Sequence, residues 1–588
     1  MKSLSYLNKY FLRYKWRLIL GVLFIVISNY FGVQMPLFVK EAVDDMLSTQ
    51  QTSSLEDLIL LSLKVGGIYM LLSLISGFFL FLTRQTIIVM SRHIEFDLKN
   101  EIYAHYQQMD FQFFNSHKIG DLMNRISEDV SQVRMYLGPG IMYSINLIAL
   151  SALVIWQMVQ INGTLTILVL IPLPIMSYLI YVVSSRMNKL SKEVQAEQSQ
   201  LSAIVQESFS GIRVIKAYLR EEKVRNRFDD SAENYKDRVM GLVRVNAFFM
   251  PTIVFLIGLS TLLAIYVGGV MNFAGKISPG GILAFVFFVN KLTWPFASIG
   301  WVTSIIQRAS ASQSRINDFL DTKPTIFNPN NELFDFHGKV DFKDVHFSYP
   351  TTGIEVLSGL NLTIPAGSTV GIIGKTGSGK STVLKLLMRQ MDPDKGQILV
   401  DNQALNVINL HDYRTHCGIA PQEVFLFSDT IANNILIGSE QTDISAEKVR
   451  EVATLAHVHH NISDFPDGYQ TLLGERGVNL SGGQKQRISI ARALLRNPTL
   501  LVLDDCFSAV DTETESTILE NISALKKQKQ LTTLIVSHRI SSLSMADKIY
   551  VLEHGKIAEE GTHEELLAQE GQYKAMFIRQ MQERDSTD

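Results

Sequence analysis

The amino-acid sequence predicts an α-helical membrane domain of six spans followed by an α/β domain. Two observations lead there. Apolar residues make up 47% of the 588-residue chain, but they concentrate in long runs before about residue 305 and then give way to a mixed composition. Beyond that point, "GSTVGIIGKTGSGKSTVLKLL" (367–387) reads as an apolar strand, a glycine-rich loop and a helix. The expected boundaries are a membrane domain over 1–320, a polar linker over 321–338 and a soluble domain over 339–588. A formal net charge of −3 argues against a basic nucleic-acid surface, so no nucleic-acid partner is expected. Cys417 and Cys506 are the only cysteines, both in the soluble part. That excludes a disulfide framework or zinc spacing and suits a reduced, cytosolic setting.

The chain begins "MKSLSYLNKYFLRYKWR", with Lys2, Lys9, Arg13, Lys15 and Arg17 and no acid. It reads as a basic amphipathic helix on the cytoplasmic surface. The apolar run after it is too long for a signal peptide, and no small-residue cleavage site follows. A bilayer core about 30 Å thick takes about 20 mainly apolar residues to cross as a helix. Runs at 17–39, 58–83, 137–159, 163–184, 245–271 and 280–306 meet that length. They are too long and too many for the buried helices of a soluble core. Pro36, Pro172, Pro174, Pro251 and Pro295 fall in or near them, which is tolerated where neighbouring helices satisfy the freed carbonyls.

Charge orients the spans. The first connection, 41–57, carries Glu41, Asp44, Asp45, Glu56 and Asp57 and no Lys or Arg, so it is expected outside. An even number of spans returns the chain to the cytoplasm. The expected protein is therefore multi-pass in the cytoplasmic membrane, with the lipid bilayer as a partner and both the N-terminus and the soluble domain inside. The outer connections near 160–163 and 272–279 are short. The inner segments 85–135 and 185–243 are long, polar and helical in period. Each turns at a breaker, "FFNSHKIGDLMNR" (113–125) and "ESFSGIRVIKAY" (207–218). These turns are natural places to touch a cytosolic domain; a plain solvated loop is the other reading.

In the soluble part the spacing G-x-x-x-x-G-K-S falls on Gly374, Lys375, Thr376, Gly377, Ser378, Gly379, Lys380 and Ser381, followed by Thr382. Glycines remove Cβ atoms that would block a pyrophosphate from the backbone N–H groups. The helix that follows points its positive end at the phosphates. Lys380 is placed to reach the β- and γ-phosphates, and the Ser381 hydroxyl to reach Mg²⁺. The short motif occurs by chance, but its seat between strand and helix makes it a nucleotide site. Further on, "LLVLDDCFSAVD" (500–511) is an apolar run ending in Asp504 and Asp505. Asp504 stands where such an NTPase puts the acid that holds Mg²⁺ through water.

Between these motifs lies "LSGGQKQR" (480–487). Its glycines free backbone donors at a helix start, a second anion site. One chain does not need two such sites for one triphosphate, so this one is expected to face nucleotide held by another chain. "IVSHR" puts His538 at the end of a further strand, suited to the γ-phosphate.

Together these residues resemble an ATP-binding cassette, and nearly the whole chain resembles an ABC exporter half-transporter, with an α/β P-loop NTPase fold after the membrane domain. The resemblance implies ATP and Mg²⁺ as ligands. It implies that Tyr349 in "VHFSYP" stacks on adenine, and that Gln422 in "IAPQEVFLF" senses Mg²⁺ and the attacking water. It implies that "GERG" (474–477) contacts the turn helices. Ser481, Gly482, Gly483 and Gln484 would bind the opposite subunit's ATP, and "SAVD" (508–511) would link the two sites.

The sequence departs from the resembled pattern at Asp505, where members that hydrolyse ATP well have Glu. The shorter side chain withdraws the carboxylate by about 1 Å, a misplacement that can cost on the order of 10²-fold. The signature motif is intact. The expectation is an ATP-driven exporter of a hydrophobic or amphipathic substrate (drug, lipid or peptide), a transport-coupled ATPase. Its partner would be a second half-transporter, a heterodimer being favoured and a homodimer with slow hydrolysis the alternative. An ATP-gated channel and an importer of the same fold are rivals. A leader-trimming peptide exporter is disfavoured, since no protease domain precedes the first span. Lys291, in "FFVNKLTWPF" (287–296), lies near the middle of the sixth span. It is expected to face the central cavity with Asn290 and Trp294 and to hold an acidic or polar part of the substrate; snorkelling is the other reading.

Overall fold

The computed structural model describes residues 2–49, 55–350, 352–441, 443–474 and 477–585. The chain forms two compact units, residues 1–107 with 119–322 and residues 108–118 with 323–588. The first inner turn is thus divided between them.

The first unit is helical. A 3₁₀ turn, Lys2–Leu7, and a short helix, Asn8–Arg13, are tied to the helix Val89–Gln108. The Tyr6 phenol and the Lys9 ammonium both donate to Glu101 at 2.6 Å, the Tyr10 phenol donates there too, and Arg13 and Tyr14 donate to Asp97 at 2.9 Å. Among the described residues, five continuous helical stretches are long and apolar enough to cross a membrane, where six spans are expected. The difference lies at one residue. The stretch 119–210 carries two of the expected spans, and Asn162 alone breaks it, leaving helical geometry at φ −163°, ψ 110°. Its side chain accepts from the Leu165 amide at 3.0 Å, which starts the next helix, and donates to the Lys276 carbonyl at 3.4 Å. The two short connections expected outside therefore meet.

The remaining long helices are Lys15–Thr49, Glu221–Phe273 and Pro279–Leu320, each carrying an internal proline, and Leu55–Thr83. One buried face of Pro279–Leu320 (Phe285, Phe288, Val289, Leu292) packs with Val154, Met158, Leu165 and Met176 into the core of this unit. At its start Asp44 accepts from Ser278 Oγ at 2.6 Å and the Gly280 amide at 2.9 Å. Gly280 has no room for a side chain, because a Cβ would strike the Lys40 carbonyl.

Among its described residues the second unit holds ten strands: β1 (Val340–Ser348), β2 (Glu355–Ile364), β3 (Thr369–Ile373), β4 (Lys395–Val400), β5 (Gln403–Ala404), β6 (Cys417–Ala420), β7 (Leu500–Asp504), β8 (Thr532–Val536), β9 (Lys548–Glu553) and β10 (Lys556–Gly561). An antiparallel sheet runs β2-β1-β4-β5, and a six-stranded sheet runs β10-β9-β3-β8-β7-β6. In the second, β3, β8, β7 and β6 are mutually parallel neighbours. These strands are buried on both faces, as continuous apolar runs such as Leu500–Leu503 require. Two apolar clusters, one on each side, hold the sheet. Residues 108–118 join this unit through Asp110, which accepts from the Thr325 amide at 2.7 Å and hydroxyl at 2.6 Å.

Candidate active site

Four parallel strands lying side by side bring four loops to one edge, the place where open α/β sheets bind ligands. The loop 374–379 leaves β3, Ser537 and His538 leave β8, Asp505 leaves β7, and Gln422 follows β6. A cavity of about 290 Å³ opens there, lined by residues of all four and by Tyr349. Of the residues singled out in the sequence, Tyr349, Thr376, Gly377, Gly379, Lys380, Ser381, Thr382, Gln422, Asp504, Asp505 and His538 line it. Gly374, Lys375 and Ser378 belong to the same loop but do not line the cavity.

The loop needs its glycines. Gly377 and Gly379 have φ of 82° and 108°, left-handed values that side chains disfavour. At Gly374 a Cβ would strike the Leu552 carbonyl. The Ser378 hydroxyl is buried without a hydrogen-bond partner among the described residues. Lys380 opens the helix Lys380–Leu387, and its ammonium folds back onto the Gly374 and Lys375 carbonyls at 2.6 and 2.9 Å. Burial pulls the Lys380 pKa down, against the nearby charges of Asp505 and Asp504. Tyr349 is held at the mouth of the cavity. Its hydroxyl lies 3.2 Å from Thr382 Oγ1 and accepts from Lys385 at 3.3 Å, and its ring meets Phe347 edge-on.

The two acids differ. Asp504 ends β7, and burial together with the charge of Asp505 pushes its pKa up to about 6, with Lys380 opposing. Asp505 takes a left-handed backbone, φ 45°, and its amide donates to the Val536 carbonyl at 2.8 Å. Its carboxylate lies 2.9 Å from His538 Nδ1 and accepts from Gln422 Nε2 at 3.4 Å. Burial raises its pKa, opposed by His538, Arg539 and Lys380. Two buried carboxylates and the Ser381 hydroxyl on one cavity suit Mg²⁺, which binds through one or two carboxylates plus substrate phosphates. The charge of Asp504, disfavoured by burial and by the neighbouring Asp505, is what a divalent cation would relieve.

Ser481, Gly482, Gly483 and Gln484 do not line this cavity. They begin the helix Gly482–Leu495, where Ser481 and Gln484 close a reciprocal cap. At Gly483 a Cβ would sit 2.7 Å from the Ala509 carbonyl, so the glycine admits the segment 508–511. Two residues of this linkage escape a motif reading. Gln486 donates to the Ser508 hydroxyl at 2.9 Å and accepts from the Ala509 amide at 3.1 Å. Arg539 binds the carbonyls of Phe507, Ser508 and Val510 at 3.2, 2.9 and 3.2 Å. Their only signal in the sequence is adjacency, Gln486 inside "LSGGQKQR" and Arg539 after His538. Glu475 and Arg476 of "GERG" lie outside the described residues.

Known proteins share this arrangement. The ABC transporter transmembrane region family matches residues 18–296, and the ABC transporter family matches residues 357–508. The chain is 34% identical over 579 residues to the multidrug resistance-like ATP-binding protein MdlA of Escherichia coli K12, covering 98% of this chain and 96% of that protein. It is also 34% identical over 583 residues to the probable multidrug resistance ABC transporter ATP-binding/permease protein YheI of Bacillus subtilis 168, covering 99% and 97%. A bacterial Atm1-family ABC exporter with ATP bound superposes with a TM-score of 0.78 at 26% identity, over 96% of this chain and 98% of that one.

Proposed function

We propose a function from one premise: the chain belongs to the ABC exporter family, with a transmembrane region fused to an ATP-binding cassette. It is a multi-pass membrane protein with a cytoplasmic cassette, and an ATPase coupled to transport. The function is export of a hydrophobic or amphipathic substrate by alternating access, the chain acting as one half of a dimer. Relatives named for multidrug resistance support an apolar, drug-like cargo.

In this reading Lys380 and the backbone of 374–379 hold the β- and γ-phosphates, Tyr349 packs against the adenine, and His538 faces the γ-phosphate. Ser381 and Asp504 would hold Mg²⁺, with Gln422 beside them; the ion would neutralise charge that gathers on the phosphate oxygens. Ser481 to Gln484 contact ATP on the partner. Closure of two cassettes over ATP is transmitted to the membrane units through the turns at 113–125 and 207–218.

The observation that carries the finer reading is Asp505. It is one methylene shorter than glutamate, and its carboxylate is already engaged by His538 at 2.9 Å and Gln422 at 3.4 Å. A short acid drawn to one side is a poor positioner of water, so this chain's own site hydrolyses slowly. The chain then works best in a heterodimer, where its signature helix completes a competent site on the partner. The same His538 contact favours one other reading, a homodimer with slow hydrolysis in which the imidazole fixes the position of the short acid. Purification of the chain alone and together with a second half-transporter separates the two. Brisk ATPase from the pure homodimer, lost on Asp505→Asn, would sink the slow-site reading.

A further inference from the structure

Lys291 lies deep in the membrane unit. From Gly280, whose amide Asp44 holds, the helix rises about 16 Å to Lys291, about half of a hydrocarbon core about 30 Å thick. Its ammonium turns instead to the helix Lys15–Thr49. A Cβ placed on Gly32 would lie 3.8 Å from Lys291 Nζ and 3.6 Å from Ser76 Oγ. Polar groups gather on these helices. Ser28 and Ser76 donate to each other's carbonyls at 2.8 and 3.0 Å, and Asn29 donates to Asn146 at 3.0 Å. Lys291 itself makes no hydrogen bond or ion pair among the described residues.

A charge at that depth is costly unless it meets water or an opposite charge. The helix around it supplies the other half of a site. Phe287 and Trp294 are exposed on one stripe with the half-buried Lys291, Trp294 at 63% exposure, at the four- and three-residue steps that share a helix face. Bare aromatic surface beside an unpartnered ammonium matches a molecule with an apolar body and an anionic head.

We propose that Lys291 is an anion-holding subsite of the membrane unit and that the substrate class is an amphipathic organic anion. Its acid group sits on Lys291 near Gly32 and Ser76, and its apolar body lies on Phe287 and Trp294. This rests on the export reading for the anion to be cargo; binding itself does not. In phosphatidylcholine nanodiscs, wild-type protein should bind radiolabelled laurate. Lys291→Met should weaken that binding about tenfold or more, and Lys291→Arg should restore it. All three proteins should bind methyl laurate alike. If phosphatidylglycerol in the disc displaces laurate from the wild type, a lipid headgroup fills the subsite; if it does not, a free amphipathic acid does. Failure of the wild type to bind laurate, equal affinity in Lys291→Met, or equal loss of acid and ester overturns the proposal. ATP-dependent uptake of a neutral dye into inverted vesicles tests export separately, and its absence would leave the laurate result standing.

Discussion

At the scale of the residue, two side chains of the cavity make separable predictions. The Lys380 ammonium turns back onto the glycine loop, held by the Gly374 and Lys375 carbonyls. Those bonds are to neutral acceptors, so the ammonium is free to exchange them for phosphate oxygens. Lys380→Ala should therefore weaken Mg-ATP binding at this chain's site by about 100-fold, since charge-assisted bonds contribute about 1.5–3 kcal/mol each. Titration with a fluorescent ATP analogue measures it, and unchanged affinity would remove Lys380 from the site. For Asp505 the informative change is the longer acid. Asp505→Glu restores about 1 Å of reach, and turnover of the purified chain should rise on the order of tenfold or more. No rise would mean that the contact with His538, not length, sets the rate.

At the scale of the element, two linkages matter. The segment 507–510 is fastened twice, to the signature helix by Gln486 and to the residue after His538 by Arg539. Gly483→Val would push a side chain into the Ala509 carbonyl, 2.7 Å from where its Cβ must go. ATP binding at this chain's own loop should survive while turnover at the partner's site falls at least tenfold, because only the second needs the helix start in place. Loss of binding at its own loop would show that the helix serves its own nucleotide. The N-terminal helix is fastened by charge. Burial pushes the Glu101 carboxyl up, but hydrogen bonds from Lys9, Tyr10 and Tyr6 outweigh it and hold the pKa below the ordinary value. A depressed carboxylate contributes stability above its unfolded pKa and loses it as pH falls through the folded one. Wild-type thermal stability should thus drop below about pH 4.5, while Glu101→Gln, weaker by about 1 kcal/mol at neutral pH, should show a shallower drop. Parallel curves for the two proteins would count against the latch. Elements of this kind were unevenly legible in the sequence. The glycine loop, Asp504 and His538 were readable because local spacing and strand ends encode them. The break at Asn162 was expected only as a short connection, since one residue makes it. Gln486 and Arg539 were not readable, because their partners lie 22 to 32 residues away and no periodicity marks them. The grouping of 108–118 with the second unit depends on Asp110 meeting Thr325, a contact between segments more than 200 residues apart.

At the scale of the whole molecule, the separation of the signature residues from the cavity fixes what a single chain can do. Ser481 to Gln484 begin their own helix and take no part in lining the site around Lys380. In the proposed dimer one chain would carry half of each of two sites, and a dimer of unlike chains would carry one weak site and one strong one. The two halves of that statement can be tested in one preparation. If this chain contributes the weak acid, Asp505→Asn should change turnover of the heterodimer by less than about twofold, because the removed group was already ill-placed. Replacing the partner's acid at the corresponding position should stop turnover, since the competent base is lost. Ser481 and Gly482 substitutions in this chain should resemble the second change, not the first, because in the proposed dimer they would line the partner's nucleotide. A Gly482 substitution that abolished binding only at its own loop would contradict the cross-chain arrangement. Strong dependence of the heterodimer on Asp505 would show instead that the aspartate, supported by His538, is a working base.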